Sequence, residues 1–324
     1  MRMSGSTPAP GRPLRRPPVA PALSRSELDR DYLSRQGGIP ALLEDPQTRL
    51  VVLHGGSALG TAAGALALLA PATAGVEPEH AVFLGRALTA SGDLAEGAAV
   101  LAFVVSEADA ARLGEGGSWL DLRRMGALLS PRDAGLFTQA LALANWHGAA
   151  EFSPASGEPT TVTQAGWVRV DPSSGRELYP RTDPAVIVAV LDDDDRMLLG
   201  SNVEWDTGRF SLLAGFVEPG ESLEAAVIRE IFEEAGVVVT EPEYRGSQPW
   251  PFPASLMLGF EAHLAPGSPR EPRPDGTELR ELRWFTRDEL ASEVGAGTVL
   301  LPGPASIARA IIEDWFGGPI GEPR

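Results

Sequence analysis

The chain contains neither cysteine nor lysine. Without cysteine there is no disulfide, thiolate zinc site, iron–sulfur cluster or thiol nucleophile. Without lysine there is no phosphate-loop lysine, Schiff base, Ser–Lys dyad or kinase-type ion pair. All 27 basic residues are therefore arginine, set against 44 acidic residues, and the net charge is −17. That balance argues against a broad surface for nucleic acid or anionic membrane, which needs clustered positive charge. Histidine is scarce as well: His54, His80, His147 and His263 stand far apart, and none forms a pair at metal-ligand spacing. The 324 residues, 43% hydrophobic and 22% charged, have globular composition and are enough for about two domains.

Targeting and membrane signals are weak. Residues 1–23 are rich in proline, serine and arginine, and the basic cluster Arg12, Arg15 and Arg16 has no apolar core after it. This stretch is expected to be a disordered tail, with a nucleic-acid arm as the less supported alternative. Leu50–Val76 carries no charged side chain, but Gly55, Gly56, Gly60, Gly64 and Pro71 interrupt it. A pair of strands turning at Gly55-Gly56 fits better than a membrane helix, so the expectation is a soluble, cytoplasmic protein that does not contact membranes.

Three regions follow the tail. Residues 24–147 read as β-rich (Ala81–Gly85, Ala99–Val105), ending in a helix over Pro131–Trp146, where Leu136, Ala140, Leu143 and Ala144 recur at helical spacing. Residues 148–181 shift to Ser, Thr, Pro and Gly and read as a small connector. Residues 182–318 are regular. Strands are expected at Ala185–Leu191, Met197–Leu199, Phe210–Ala214, Leu256–Leu264 and Leu282–Phe285, with helices over Ser222–Ala235 and Ile307–Trp315. Mixed in this order, they indicate an α+β architecture.

The chemistry concentrates on one helix. Residues i, i+3 and i+4 share a helix face, so Glu230, Glu233 and Glu234 present three carboxylates within one turn. Ala226, Val227 and Ile231 can anchor the opposite side. Such crowding of like charge is unfavourable without a cation, and oxygen ligands at this density suit Mg²⁺ or Mn²⁺. A bare Glu-x-x-Glu-Glu would still be read as a solvated acidic face. Here Gly215, Glu221, Arg229, Glu230, Ile231, Glu233, Glu234, Gly236 and Val237 fill every fixed slot of G-x5-E-x7-R-E-U-x-E-E-x-G-U, where U is apolar. This string resembles the box of the Nudix hydrolases, which cleave nucleoside diphosphates linked to another group. The resemblance implies a mixed β-sheet sandwiched between helices. It also implies divalent cations on Glu230, Glu233 and Glu234, with Arg229 orienting the carboxylates and Glu221 supporting the loop.

Downstream, Ser247-Gln248-Pro249-Trp250-Pro251-Phe252-Pro253-Ala254-Ser255 combines three prolines with two aromatics. Prolines fix an extended backbone. From composition alone, a stiff loop packed on the core and a wall for a planar ring are equally good readings. The order of residues resembles the S-Q-P-W-P-F-P-x-S signature of the NADH pyrophosphatase subfamily, as do Tyr179-Pro180-Arg181 and Trp146-His147. By that resemblance Tyr179 and Phe216 contact substrate rings, and Gln248, Pro249, Trp250, Pro251, Phe252, Pro253, Ala254 and Ser255 line the dinucleotide site. Ala214 offers its backbone carbonyl to a metal, Glu278 is a further metal ligand, and Ala308 touches substrate through its backbone. Arg123 is a weaker phosphate contact, with Arg124 as its alternative. Taken alone, Glu278 would pass for a surface charge beside Arg280.

Members of that subfamily commonly hold zinc through C-x2-C-x14-C-x2-C. At those four positions this chain has Ser153, Ser156, Asp171 and Ser174. Serines are poor zinc ligands and one aspartate cannot complete a tetrahedral site. The expectation is no zinc, and a ribbon-like connector held by Trp167, Val168 and Val170 and by hydrogen bonds.

The resulting expectation is a metal-dependent hydrolase cleaving NAD(H) to NMN(H) and AMP, with removal of NAD caps from RNA 5′ ends as a further activity, and with either a helix glutamate or Glu221 as base. The family implies a homodimer, with the Nudix-like N-terminal domain helping to form the interface. Alternatives are a Nudix hydrolase of ADP-ribose or another nucleoside diphosphate, and a non-catalytic NAD sensor.

Overall fold

The computed structural model describes residues 18–74, 80–115 and 117–321. Arg12, Arg15 and Arg16, and with them the expected arm, lie outside the described residues.

The C-terminal domain is built on a six-stranded mixed sheet. Its strands are β11 (Asp183–Leu191), β12 (Met197–Asn202), β13 (Leu213–Phe216), β14 (Val239–Trp250), β15 (Ser255–Leu264) and β16 (Leu279–Phe285). The order is β14-β15-β11-β12-β16, with β13 also paired to β11. β11 and β15 run parallel, and the other pairs are antiparallel. β11 explains the sandwich. Successive strand side chains point to opposite faces, so Val186, Val188 and Val190 meet α6 (Leu223–Ala235) through Ala226, Val227, Ile231 and Ala235. Ile187, Ala189 and Leu191 meet α7 (Arg287–Gly295) and α8 (Ile307–Phe316) through Leu290, Val294, Ile307, Ile311 and Trp315. A strand buried on both faces reads as a continuous apolar run.

The N-terminal domain repeats this plan. Its strands are β1 (Leu28–Asp29), β2 (Arg49–His54), β3 (Ser57–Gly60), β4 (Leu68–Leu69), β5 (Ala81–Ala87), β6 (Ala99–Val104) and β7 (Ser118–Leu120). They run β1-β5-β6-β2-β3-β7 with β4 on β2, and β2 and β6 are parallel. β2, β3, β4, β5, β6 and β7 thus match β11, β12, β13, β14, β15 and β16 in order and in direction of pairing. One face packs on α5 (Pro131–Ala149), the other near α1 (Ile39–Glu44) and α3 (Glu107–Gly114). Between β4 and β5, where the other domain carries α6, stands α2, described over Pro71–Ala74. Short α4 (Leu122–Met125) precedes α5. The uncharged Leu50–Val76 stretch begins as the expected strand pair β2–β3, and among the described residues no helix is long and apolar enough to cross a membrane.

The tail ends sooner than composition suggests. Leu23 is buried in the N-terminal core, and the Val19 N–H donates to the Arg245 carbonyl on β14 at 2.6 Å. The apolar Val19 and Leu23 gain burial and an edge-strand partner that the proline-rich composition does not reveal.

The connector is a three-stranded sheet, β8 (Thr161–Thr163), β9 (Val168–Val170) and β10 (Glu177–Leu178), in the order β10-β9-β8. Val168 is buried, and Trp167 donates its ring N–H to the Phe83 carbonyl at 2.7 Å while the Arg35 guanidinium stacks over its ring. Ser153, Ser156, Asp171 and Ser174 converge. Asp171, 0% exposed, accepts from the Ser153 hydroxyl at 2.9 Å and from the Ser173 N–H and hydroxyl at 2.9 and 2.7 Å. Ser153 in turn accepts the N–H groups of Ala155 and Ser156. Hydrogen bonds from Ser173, Ser156, Ser153 and Ser174 hold the Asp171 carboxyl far below the usual carboxylate range. An ionised aspartate with a ring of hydroxyl donors stands where two metal knuckles would meet.

Candidate active site

α6 forms where the sequence places it. Ser222 accepts the Ala225 N–H at 3.2 Å as N-cap, and Gly236, at φ +67°, closes the C-terminus in the left-handed conformation. Ile231 and Val227 bury one stripe, which turns Arg229, Glu230, Glu233 and Glu234 toward β13 and the loop after it.

Arg229 organises the carboxylates. Its Nε and one Nη2 hydrogen reach the two oxygens of Glu221, both at 2.8 Å. Nη1 donates to Glu230 at 2.9 Å and Glu233 at 3.0 Å, and Nη2 also donates to the Phe216 carbonyl at 3.0 Å. All five guanidinium donors are therefore used. This bidentate pairing lowers the Glu221 carboxyl to about 2, against the cost of burial. Glu221 also accepts the Glu218 N–H at 3.1 Å. Both its oxygens are committed, so it braces the loop.

Glu230 lies directly over Gly215. A Cβ at that glycine would fall 2.0 Å from the Glu230 carboxyl carbon, so any other residue there would push the carboxylate off β13. Burial, ahead of the opposing pull of Arg229, raises the Glu230 carboxyl above its ordinary value. Glu234 is 8% exposed, and its Oε2 has no hydrogen-bond partner. Burial first, then the charges of Glu230, Glu278, Asp275 and Glu233, push it up to about 8. A buried carboxyl oxygen without a partner, set among four other carboxylates, is a group that a cation would stabilise.

Glu278 comes to this cluster from the loop before β16. Asp275 shapes that loop by accepting the N–H groups of Thr277, Glu278 and Leu279, the last at 2.8 Å. Asp275 was not anticipated; its signal was the Asp-Gly turn at 275–276. Among the described residues no group of three or more His, Asp or Glu side chains is arranged so that it could hold a metal ion. The donor set nevertheless fits Mg²⁺ or Mn²⁺ in its chemistry: hard oxygens, an orphaned buried Glu234 oxygen, and a Glu233 side chain 57% exposed with only one oxygen on Arg229. Ala214 on β13 sits beside Gly215, half-buried, paired with Ile187 of β11.

The aromatic signature lies at the same end of the sheet. β13 pairs Phe216 with Ala185 of β11, and β11 pairs Asp183 with Ser255 of β15. Phe216 is exposed beside the carboxylates. Ser247 to Trp250 finish β14, and Pro251 to Ala254 turn the chain into β15. The signature is therefore a hairpin end, where a loop leading into one strand was expected. Trp250 and Phe252 contact each other edge to face at 4.8 Å, and both pack partly on the N-terminal core. The Arg123 guanidinium from α4 lies 4.1 Å from the Phe252 ring centroid and 5.7 Å from that of Trp250.

Three expectations need adjustment. Gln248 does not present its side chain to a cleft: it is 0% exposed, and its Oε1 accepts the Leu23 N–H at 3.3 Å, because the N-terminal segment docks there. Ala308 is buried in the core on α8, and its N–H donates to the Ser306 hydroxyl at 3.2 Å, a helix cap that takes up the backbone donor. Arg123 is engaged with aromatic rings. Pro249 is half-buried, Pro251 buried and Pro253 exposed, while Tyr179 stands exposed before β11 with its hydroxyl on Glu177.

The chain is similar in sequence to known proteins. Residues 181–300 match the NUDIX domain, and residues 47–146 match the NADH pyrophosphatase-like rudimentary NUDIX domain. The chain is 42% identical over 314 residues to the NAD-capped RNA hydrolase NudC of Mycobacterium tuberculosis (strain H37Rv), covering 91% of this chain and 94% of that protein. It is 37% identical over 200 residues to the human NAD-capped RNA hydrolase NUDT12, covering 58% of this chain and 43% of that protein. A crystal structure of a NUDIX hydrolase from Nitrosomonas europaea aligns with TM-score 0.41 at 21% identity, covering 53% of this chain and 97% of that one.

Proposed function

The chain belongs to the NADH pyrophosphatase branch of the Nudix hydrolases, and from that premise we propose that it hydrolyses the pyrophosphate of NAD(H) to NMN(H) and AMP and removes NAD caps from RNA 5′ ends. The observation that carries the reading is the buried, unpartnered Glu234 oxygen in a carboxylate cluster organised by Arg229, at the same sheet end as the Trp250–Phe252 turn.

A divalent cation, Mg²⁺ or Mn²⁺, on Glu230, Glu233, Glu234, Glu278 and the Ala214 carbonyl would neutralise the diphosphate and acidify water. The chain's own residues prepare that site. Arg229 holds Glu221, Glu230 and Glu233 on one side of α6, and its bond to the Phe216 carbonyl ties them to β13. Gly215 lets Glu230 approach β13. Glu233 keeps one oxygen free of Arg229 and is open to solvent, so it can accept a proton from attacking water, a role for which the doubly bonded Glu221 has no free oxygen. The exposed Phe216 ring and the Trp250–Phe252 turn offer flat apolar surface for nicotinamide or adenine, with Tyr179 nearby in sequence to the β11 entrance.

Incubation with NADH, NAD, NAD-capped RNA and ADP-ribose in Mn²⁺, with AMP or the decapped 5′ end as readout, tests the reading. Glu233→Gln should lower turnover by at least about a hundredfold while leaving the melting temperature unchanged. An inert wild type, or a fully active Glu233→Gln, would overturn it. The reading includes a homodimer acting in the cytoplasm. Family resemblance supports it, and light scattering after gel filtration checks the pairing.

A further inference from the structure

The Pro251–Pro253 turn makes few backbone hydrogen bonds of its own, so little besides the proline rings fixes how it sits against the rest of the protein. Pro249, Pro251 and Pro253 have no N–H to donate, so alternate residues contribute nothing to a hydrogen-bond ladder. Within the turn the Phe252 N–H reaches the Trp250 carbonyl at 2.7 Å, and the Asp183 N–H reaches the Ala254 carbonyl at 2.8 Å. The carbonyls of Pro251 and Pro253 are both satisfied from the other domain. Asn145, on α5, donates its side-chain amide to Pro251 at 2.9 Å and to Pro253 at 3.3 Å. One planar NH₂ group thus clips the two ends of the residue that carries the Phe252 ring. Arg123 on α4 covers the same ring, and the N-terminal core supports it from beneath.

We propose that Asn145 is a positioning residue for substrate recognition: it holds the Pro251–Pro253 turn so that Trp250 and Phe252 keep the orientation used to grip the dinucleotide. The proposal rests on the reading of this site as one for NAD(H), and it gives the N-terminal domain, which has no carboxylate helix comparable to α6 among its described residues, a direct part in recognition. Asn145 acts on binding and not on the reacting phosphorus, because both of its side-chain bonds end on backbone carbonyls of the turn and neither on a carboxylate of α6.

Asn145→Asp keeps the shape but turns an acceptor toward both carbonyls, and Asn145→Ala removes the clip with less repulsion. In Mn²⁺, KM for NADH should rise at least about tenfold in either variant with kcat within about threefold of wild type. Hydrogen exchange should quicken in peptides covering Trp250–Leu258 and stay unchanged over α6. A KM within twofold of wild type in a folded variant, or equal losses in kcat and in α6 protection, would overturn the proposal. If Asn145→Asp does not fold, Asn145→Ala decides by the same criteria. Should wild type fail to cleave NADH, the NAD(H) reading fails. Hydrogen exchange in the variants then still decides whether Asn145 holds the turn.

Discussion

Gly215→Ala gives a sharp test of how the site is assembled. The added Cβ would sit 2.0 Å from the Glu230 carboxyl carbon and 2.1 and 2.2 Å from its oxygens, where ordinary contact is 3.4–4 Å. The carboxylate must retreat by at least about 1.4 Å, the gap between those two separations. It is not free to do so, since Arg229 holds it at 2.9 Å and α6 is anchored by Val227 and Ile231. Displacing a catalytic group by about 1 Å costs roughly a hundredfold, equivalent to about 2.7 kcal/mol in kcat/KM. Because the colliding atoms are the end of a side chain and not backbone, destabilisation stays near the low end for overpacking, about 1 kcal/mol, and each kcal/mol lowers Tm by about 2–4 °C in a domain of this size. The assay is AMP release from NADH, followed alongside a circular-dichroism melt. Adding Glu230→Asp shortens the colliding side chain by one methylene, so the double variant should regain stability without regaining rate. A Gly215→Ala enzyme within threefold of wild type would refute the reasoning.

Other outcomes follow from the same contacts. Below the ordinary carboxyl value of 4.5, Glu234 is neutral both folded and unfolded and has no effect on stability. Between 4.5 and about 8 the unfolded chain ionises while the buried group keeps its proton, so the metal-free protein loses stability as pH rises. Against Glu234→Gln in EDTA, the wild type should fall by about 4 kcal/mol between pH 5 and 9 in chemical denaturation, and added Mn²⁺ should restore it. Asp171→Asn should lower Tm by about 5 °C or more yet leave NADH turnover within twofold, and zinc should not rescue it. Chelation should abolish turnover while leaving far-ultraviolet circular dichroism of the connector and both sheets intact.

Much of this architecture is legible in the chain because local signals agree. Ser222, the i, i+3, i+4 carboxylates and Gly236 mark α6 and its acidic face together, and the unbroken apolar run at 185–191 marks the central strand. The misplaced parts have physical causes. β14 was hidden because its prolines read as loop; it is an edge strand of the sheet, where the missing N–H groups are tolerated. The third strand is Leu213–Phe216, starting three residues and ending two residues later than Phe210–Ala214, because Phe210 turns into the core against Phe285 while Gly215 and Phe216 pair with β11. α7 was overlooked although Thr286 and Glu289 form a capping box. Asn145, Leu23 and Gln248 meet only through tertiary packing, with up to 225 residues between partners, and no local pattern could have paired them.

The oxygen-lined knot in the connector separates two dependencies that a zinc-holding relative would combine. Aspartate and serine are not alkylated, oxidised or depleted by a shortage of transition metal. An oxidising or zinc-starved environment therefore leaves this joint untouched, whatever divalent cation the carboxylate cluster takes up.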